Sequence, residues 1–111
     1  MRTAYRSRLG RPFSLREHRE LADWTQRRPY GFKIDLALSY PETPEMLGVV
    51  EPGEVGPTLF LWATDREIVI EPFTGGTFVY PSVIPALEAI ERWAESLSKG
   101  KRVPFGSSQR R

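Results

Sequence analysis

The sequence contains no cysteine and a single histidine, His18. The first absence excludes a disulfide framework, a thiolate metal site and a cysteine nucleophile. The second leaves any metal site short of nitrogen ligands. Glu17-His18 does not begin an HExxH zinc motif either, because Leu21 and Ala22 follow. No metal and no cofactor is expected. No run approaches the roughly 18 apolar residues of a membrane span. The opening stretch MRTAYRSRLGRPF has no apolar segment of secretory-signal length. It is arginine-rich and acid-poor like a mitochondrial transit peptide, but it lacks the apolar face of one. The expected location is therefore the cytoplasm, with no membrane partner. Phosphate-binding glycine motifs are missing too. Gly75-Gly76 has neither P-loop nor GxGxxG spacing, so it reads as a hairpin turn.

What the sequence does have is charge sorted by position. Residues Met1 to Gly31 hold eight arginines against Glu17, Glu20 and Asp23, a net of +5. Residues Phe32 to Ser98 hold three basic residues against eleven acids, a net of −8. Residues Lys99 to Arg111 hold five basic residues and no acid, a net of +5. The overall charge of +2 thus conceals an acidic middle between two basic ends. Basic segments attract anionic partners, and an acidic body repels them.

A chain of 111 residues with 40% hydrophobic residues is long enough for one domain with a real core. We read residues 1–12 as a mobile basic arm, 13–100 as a single α+β domain, and 101–111 as a basic tail. Ser14 and Glu17 have capping-box spacing and open a helix, which Pro29 and Gly31 end. Leu15, Leu21, Ala22 and Trp24 supply its apolar stripe. Phe32 to Ser39 alternates apolar and polar residues with the period of a half-buried strand. Met46 to Val50 reads as a short strand between two proline-containing loops. Thr58 to Ala63 is apolar on both faces, as in a central strand. Glu67 to Glu71 and Thr77 to Tyr80 complete a meander. From Ser82 a second helix buries Val83, Leu87, Ile90, Ala94 and Leu97, with Ala86 and Trp93 widening the stripe. Short connections between strands require an antiparallel sheet. The expected fold is a small two-layer α+β sandwich of four or five antiparallel strands, with both helices on one face.

Candidate chemistry is sparse. His18 borders the apolar stripe and reads as a packed boundary residue rather than a base. Glu67 and Glu71 share a strand face with Val69 between them; such pairs serve acid/base chemistry in some sites, but a solvated strand face explains them more simply. Of the three tryptophans, Trp93 is expected to be partly exposed, because four other residues already fill its helix stripe. The arginine clusters carry the strongest signal. Arg2, Arg6, Arg8 and Arg11 alternate with small or apolar residues and Tyr5, a mixture suited to phosphate contact and stacking. Lys99, Lys101, Arg102, Arg110 and Arg111 give the other end similar character.

Together these residues support a non-catalytic protein-binding module, acting as an adaptor, an inhibitor or an assembly factor. Its expected contact residues are Arg2, Tyr5, Arg6, Arg8, Arg11, Trp93, Lys101, Arg102, Arg110 and Arg111. The basic ends would dock on an acidic protein surface, including that of a second copy, since the acidic middle is complementary to them. The alternative is sequence-independent nucleic-acid binding by the same ends, without support from any RNP, KH, zinc-finger or helix-turn-helix pattern. A small enzyme using Glu or Asp with Tyr and Arg is the third reading.

Overall fold

A computed structural model of the chain describes residues 10–35 and 46–106. The elements run β1 (Gly10–Arg11), α1 (Leu15–Arg27), a 3-10 turn (Pro29–Gly31), β2 (Lys33–Asp35), β3 (Met46–Val50), β4 (Leu59–Thr64), β5 (Ile68–Pro72), β6 (Phe78–Tyr80) and α2 (Val83–Ser98). The sheet has six strands in the order β2-β3-β4-β5-β6, with β1 added beside β4. Every pairing is antiparallel. This is the α+β sandwich with two helices that the sequence periodicities predict.

The sixth strand corrects one expectation. Gly10–Arg11 is not part of a mobile arm: it pairs with Ala63 and Thr64 of β4. β3 reaches only as far as Trp62 along β4, so the last two residues of β4 would otherwise lack a partner on that edge. β1 takes up those ladder groups, and unpaired buried backbone groups are costly. Residues 1–9, 36–45 and 107–111 lie outside the described residues, and with them the second half of the Phe32–Ser39 strand.

Helix α1 is fixed at its start by the capping box. The Glu17 amide donates to Ser14 Oγ at 3.1 Å, and the Ser14 amide donates to Glu17 Oε1 at 2.7 Å. Phe13 precedes the cap and is buried, and its ring meets His18 edge-on at 6.0 Å. That pair occupies the positions of a hydrophobic staple. The expected stripe needs correction. Leu21 and Trp24, three apart, are buried, whereas Leu15 is 71% exposed and Ala22 is exposed too. Leu15 and Ala22, seven apart, share the opposite side of the helix, while Phe13 joins the core from outside it. The helix ends at Arg28 in the left-handed conformation.

α1 and α2 cover the same face of the sheet. Leu47, Val49, Leu59, Leu61, Ile68 and Ile70 meet Leu21, Trp24, Val83, Leu87 and Ile90 in one continuous core. Each aliphatic side chain among them contributes about 1.5–3 kcal/mol on burial. Polar contacts register the layers. Trp24 Nε1 donates to Glu91 Oε2 at 2.7 Å between the helices, and the Ile34 amide on β2 donates to Thr25 Oγ1 at 3.1 Å. On the opposite face Met46, Trp62 and Val69 form a second buried cluster with Phe60 against it. Glu71 belongs to that face and is buried, so it is not part of a solvated strand surface; Glu67 is exposed.

Candidate functional site

One end of the sheet carries a pocket, and its walls come from three separate parts of the chain. Glu51 and Thr58, at the two roots of the β3–β4 loop, form one side. Pro72, Phe73 and Thr74, where β5 turns toward β6, form the second. Residues 102–105, which follow α2, form the third, and Leu59 and Trp93 complete the lining. Its volume is about 400 Å³. That is at the small end of ligand sites, sized for a side chain or a compact group.

The third wall corrects two sequence expectations. Residues 101–106 are not a free tail: Phe105 is buried in the main core, and Val103 packs against that core. Nor is Trp93 exposed, at 6%. Its ring meets Phe105 edge-on at 5.7 Å and Phe32 at 5.9 Å, and Phe105 in turn meets Phe78 at 5.1 Å. Trp93 Nε1 donates to the Val103 carbonyl at 2.8 Å. The segment after α2 folds back over the indole because an apolar surface and an indole donor await it there. Gly106 permits the reversal. Its φ is +101°, and a Cβ there would come within 2.6 Å of the Phe78 ring.

Polar groups stand at the mouth. Glu51 is buried, and its Oε2 accepts the Thr58 hydroxyl at 2.8 Å. Arg102 Nη1 lies 3.7 Å from Glu51 Oε1, and its side chain is 72% exposed. The carboxylate is thus fixed by Thr58 at one oxygen, and the guanidinium is held loosely at the other. Phe73 lines the pocket at 78% exposure, and its amide donates to the Thr58 carbonyl at 2.9 Å. An exposed phenylalanine beside an apolar cavity is unlike an isolated surface apolar residue, because the two together make a continuous patch.

The residues singled out from the sequence separate into three groups. Trp93 and Arg102 come together in this pocket, and Lys101 is exposed next to it. Arg11 is remote and engaged. Its Nη1 and Nη2 bind the two Glu17 oxygens at 2.8 and 2.9 Å, and its Nε donates to the Thr64 carbonyl at 2.6 Å. This bidentate contact lowers the Glu17 carboxyl from its ordinary value near 4.5 to about 2, against an opposing effect of burial. Arg2, Tyr5, Arg6, Arg8, Arg110 and Arg111 lie outside the described residues. Sequence reasoning did not single out Glu51, Phe73 or Phe105. The apolar triplet Val103-Pro104-Phe105, following the glycine at the end of α2, was the available signal for the third wall.

Among the described residues, two further cavities border the helices. One lies between them, bordered by Glu20, Asp23, Glu88 and Glu91 around Trp24 and Ile84, with a volume of about 380 Å³. The other, of about 200 Å³, adjoins the first pocket through Glu51 and Arg102. Glu67 and Glu71 line none of the three. Among the described residues no group of three His, Cys, Asp or Glu side chains is placed to hold a metal, and no helix is long and apolar enough to cross a membrane. No family model, curated protein or solved structure matches the chain.

Proposed function

We propose that the chain is a non-catalytic protein-binding module whose docking site is the pocket at the end of the sheet. A side chain of the partner enters between Phe73 and residues 102–105, and the basic ends lie on acidic surface around it. The observation that carries this reading is Phe73, an aromatic residue 78% exposed at the rim of an apolar cavity. Aromatic anchors beside desolvated pockets dominate the energetics of protein interfaces. The sorted charge supports it, since complementary potentials steer encounter and fix orientation.

The nucleic-acid alternative draws on the same basic ends, but Arg11 gives its guanidinium to Glu17 rather than offering it to phosphate. For the enzymatic alternative, the carboxylate pair that prompted it, Glu67 and Glu71, borders none of the three described cavities.

The test is photo-crosslinking with p-benzoylphenylalanine in place of Phe73. A matched probe at Leu15, 71% exposed on α1, serves as the control. The expected result is an adduct with a polypeptide from the probe at 73 and none from the probe at 15, with a yield that falls as salt rises. Equal labelling from both positions, or none from either, overturns the reading. Titration of the unmodified chain with a generic duplex, at low and moderate salt, tests the alternative in parallel.

A further inference from the structure

We infer that the partner at this pocket is a second copy of the same chain, with the Glu54–Val55 tip of each copy seated in the pocket of the other. The inference rests on the docking site proposed above and names its occupant. It starts from the β3–β4 loop. Val55, at the loop tip, is fully exposed at 105%, and Glu54 beside it is exposed as well. The Glu54 amide donates to the Glu51 carbonyl at 3.1 Å, which turns the loop directly after β3. An apolar side chain and a carboxylate therefore project together from one short turn.

The pocket asks for that pair. Its lining is mostly apolar, with Glu51 and Thr58 on one wall, and the exposed Arg102 supplies a donor. Among the described residues, the one polar partner of Arg102 is Glu51 Oε1 at 3.7 Å. A guanidinium has five N–H donors in a planar fork. One edge can stay on Glu51 while the other donates to an incoming carboxylate, so the buried Glu51 keeps its counter-charge. Glu51, secured by the Thr58 hydroxyl, positions the arginine. A carboxylate one residue from an apolar side chain matches an arginine at the lip of an apolar hole.

The symmetry is as important as the chemistry. The tip and the hole share one patch, because the roots of the loop, Glu51 and Thr58, are themselves part of the pocket wall. A twofold contact uses the same patch on both copies, so each donates what the other receives. Such an arrangement closes at two copies and makes every contact twice.

Sedimentation equilibrium of the whole chain tests this directly. The wild type is expected to self-associate, more weakly at high salt. Val55→Asp and Phe73→Ser, both at exposed positions, are each expected to weaken the dimer by about tenfold or more. Glu54→Lys and Arg102→Glu each place like charges at both contacts and are expected to weaken it by at least a similar factor. Mixing those two variants sets the introduced lysine against the introduced glutamate at one contact and keeps the native Glu54 and Arg102 at the other. The heterodimer is expected to return to within about threefold of wild-type affinity. Circular dichroism of each variant confirms that it remains folded. A monomer at every concentration and salt overturns the inference, as does a dimer indifferent to Val55→Asp and Phe73→Ser. Crosslinks from position 73 separate the two levels of argument. An adduct with a different protein leaves the docking site standing and removes the second copy as its occupant; an adduct with nothing removes both.

Discussion

Arg11 and Phe105 hold the two ends of the described chain, and they do so by opposite means. Arg11 is fixed by polar contacts: a bidentate bond to Glu17, a bond to the Thr64 carbonyl and a two-residue ladder with β4. Phe105 is fixed by rings, between Trp93 and Phe78, with one indole hydrogen bond to Val103 nearby. Yet the two flanking sequences carry the same net charge of +5. Charge content therefore does not tell whether a basic segment is free to meet a partner. At the first end an arginine is itself the fastening. At the second the fastening is aromatic, and the neighbouring Lys101 and Arg102 stay exposed. That difference is why Arg102 is available to the pocket and Arg11 is not.

The largest blow to the aromatic end is Phe105→Ala. It leaves a cavity between Trp93 and Phe78 and is expected to cost about 3–5 kcal/mol in chemical denaturation. The pocket loses its third wall with it, so crosslinking from position 73 should fall in the same variant.

Gly106→Ala strikes the same end from the backbone. The substituent meets the Phe78 ring in a conformation with positive φ, and roughly 2–3 kcal/mol of destabilisation is expected. A thermal melt as stable as wild type would show that the segment reverses direction by another route.

The polar end breaks with pH. The Glu17 carboxyl titrates near 4.5 in the unfolded chain and near 2 when bound to Arg11. Its contribution is fully present above pH 4.5 and is lost as pH falls toward 2. Because the pair is partly exposed, that contribution is on the order of 1–2 kcal/mol. Glu17→Gln should therefore destabilise the protein at pH 7 and become nearly neutral at about pH 2. Phe105→Ala should cost the same amount at both, and parallel pH series of the two variants make the comparison sharp.

Ser14→Ala is the mildest change. It removes one half of the capping box and should cost about 1 kcal/mol. Combined with Glu17→Gln it should cost less than the sum, since both side chains serve the same cap.

Much of the fold was legible because periodicity is a local property. Leu59, Leu61 and Ala63 alternate with Phe60 and Trp62, and that alternation alone assigns β4 to the middle of the sheet with apolar residues on both faces. Ser14 with Glu17 marked the start of α1, and Ser82 the start of α2, to the residue. Leu15 was misassigned. It is apolar, but at 100° per residue it stands half a turn round α1 from Trp24, on the face it shares with Ala22, and so it meets water.

The pocket was far less legible than the sheet. Trp93 and Arg102 were recognisable as unusual, but nothing in their spacing joins them to Glu51, Thr58 or Phe73. Local pattern fixes which face of an element is apolar, so both helices, their N-terminal ends, β2 to β6 and the antiparallel pairing were readable from the chain, whereas β1 was not. Only the tertiary structure decided which apolar residues are left at the surface, because that depends on which of several candidates fills a limited core. Phe105 and Phe13, both outside the helices, enter the core, Phe105 packs on Trp93, and Phe73 and Val55 are left exposed at the end of the sheet. Burial is a competition across the whole chain, and its outcome is written in no single segment of it.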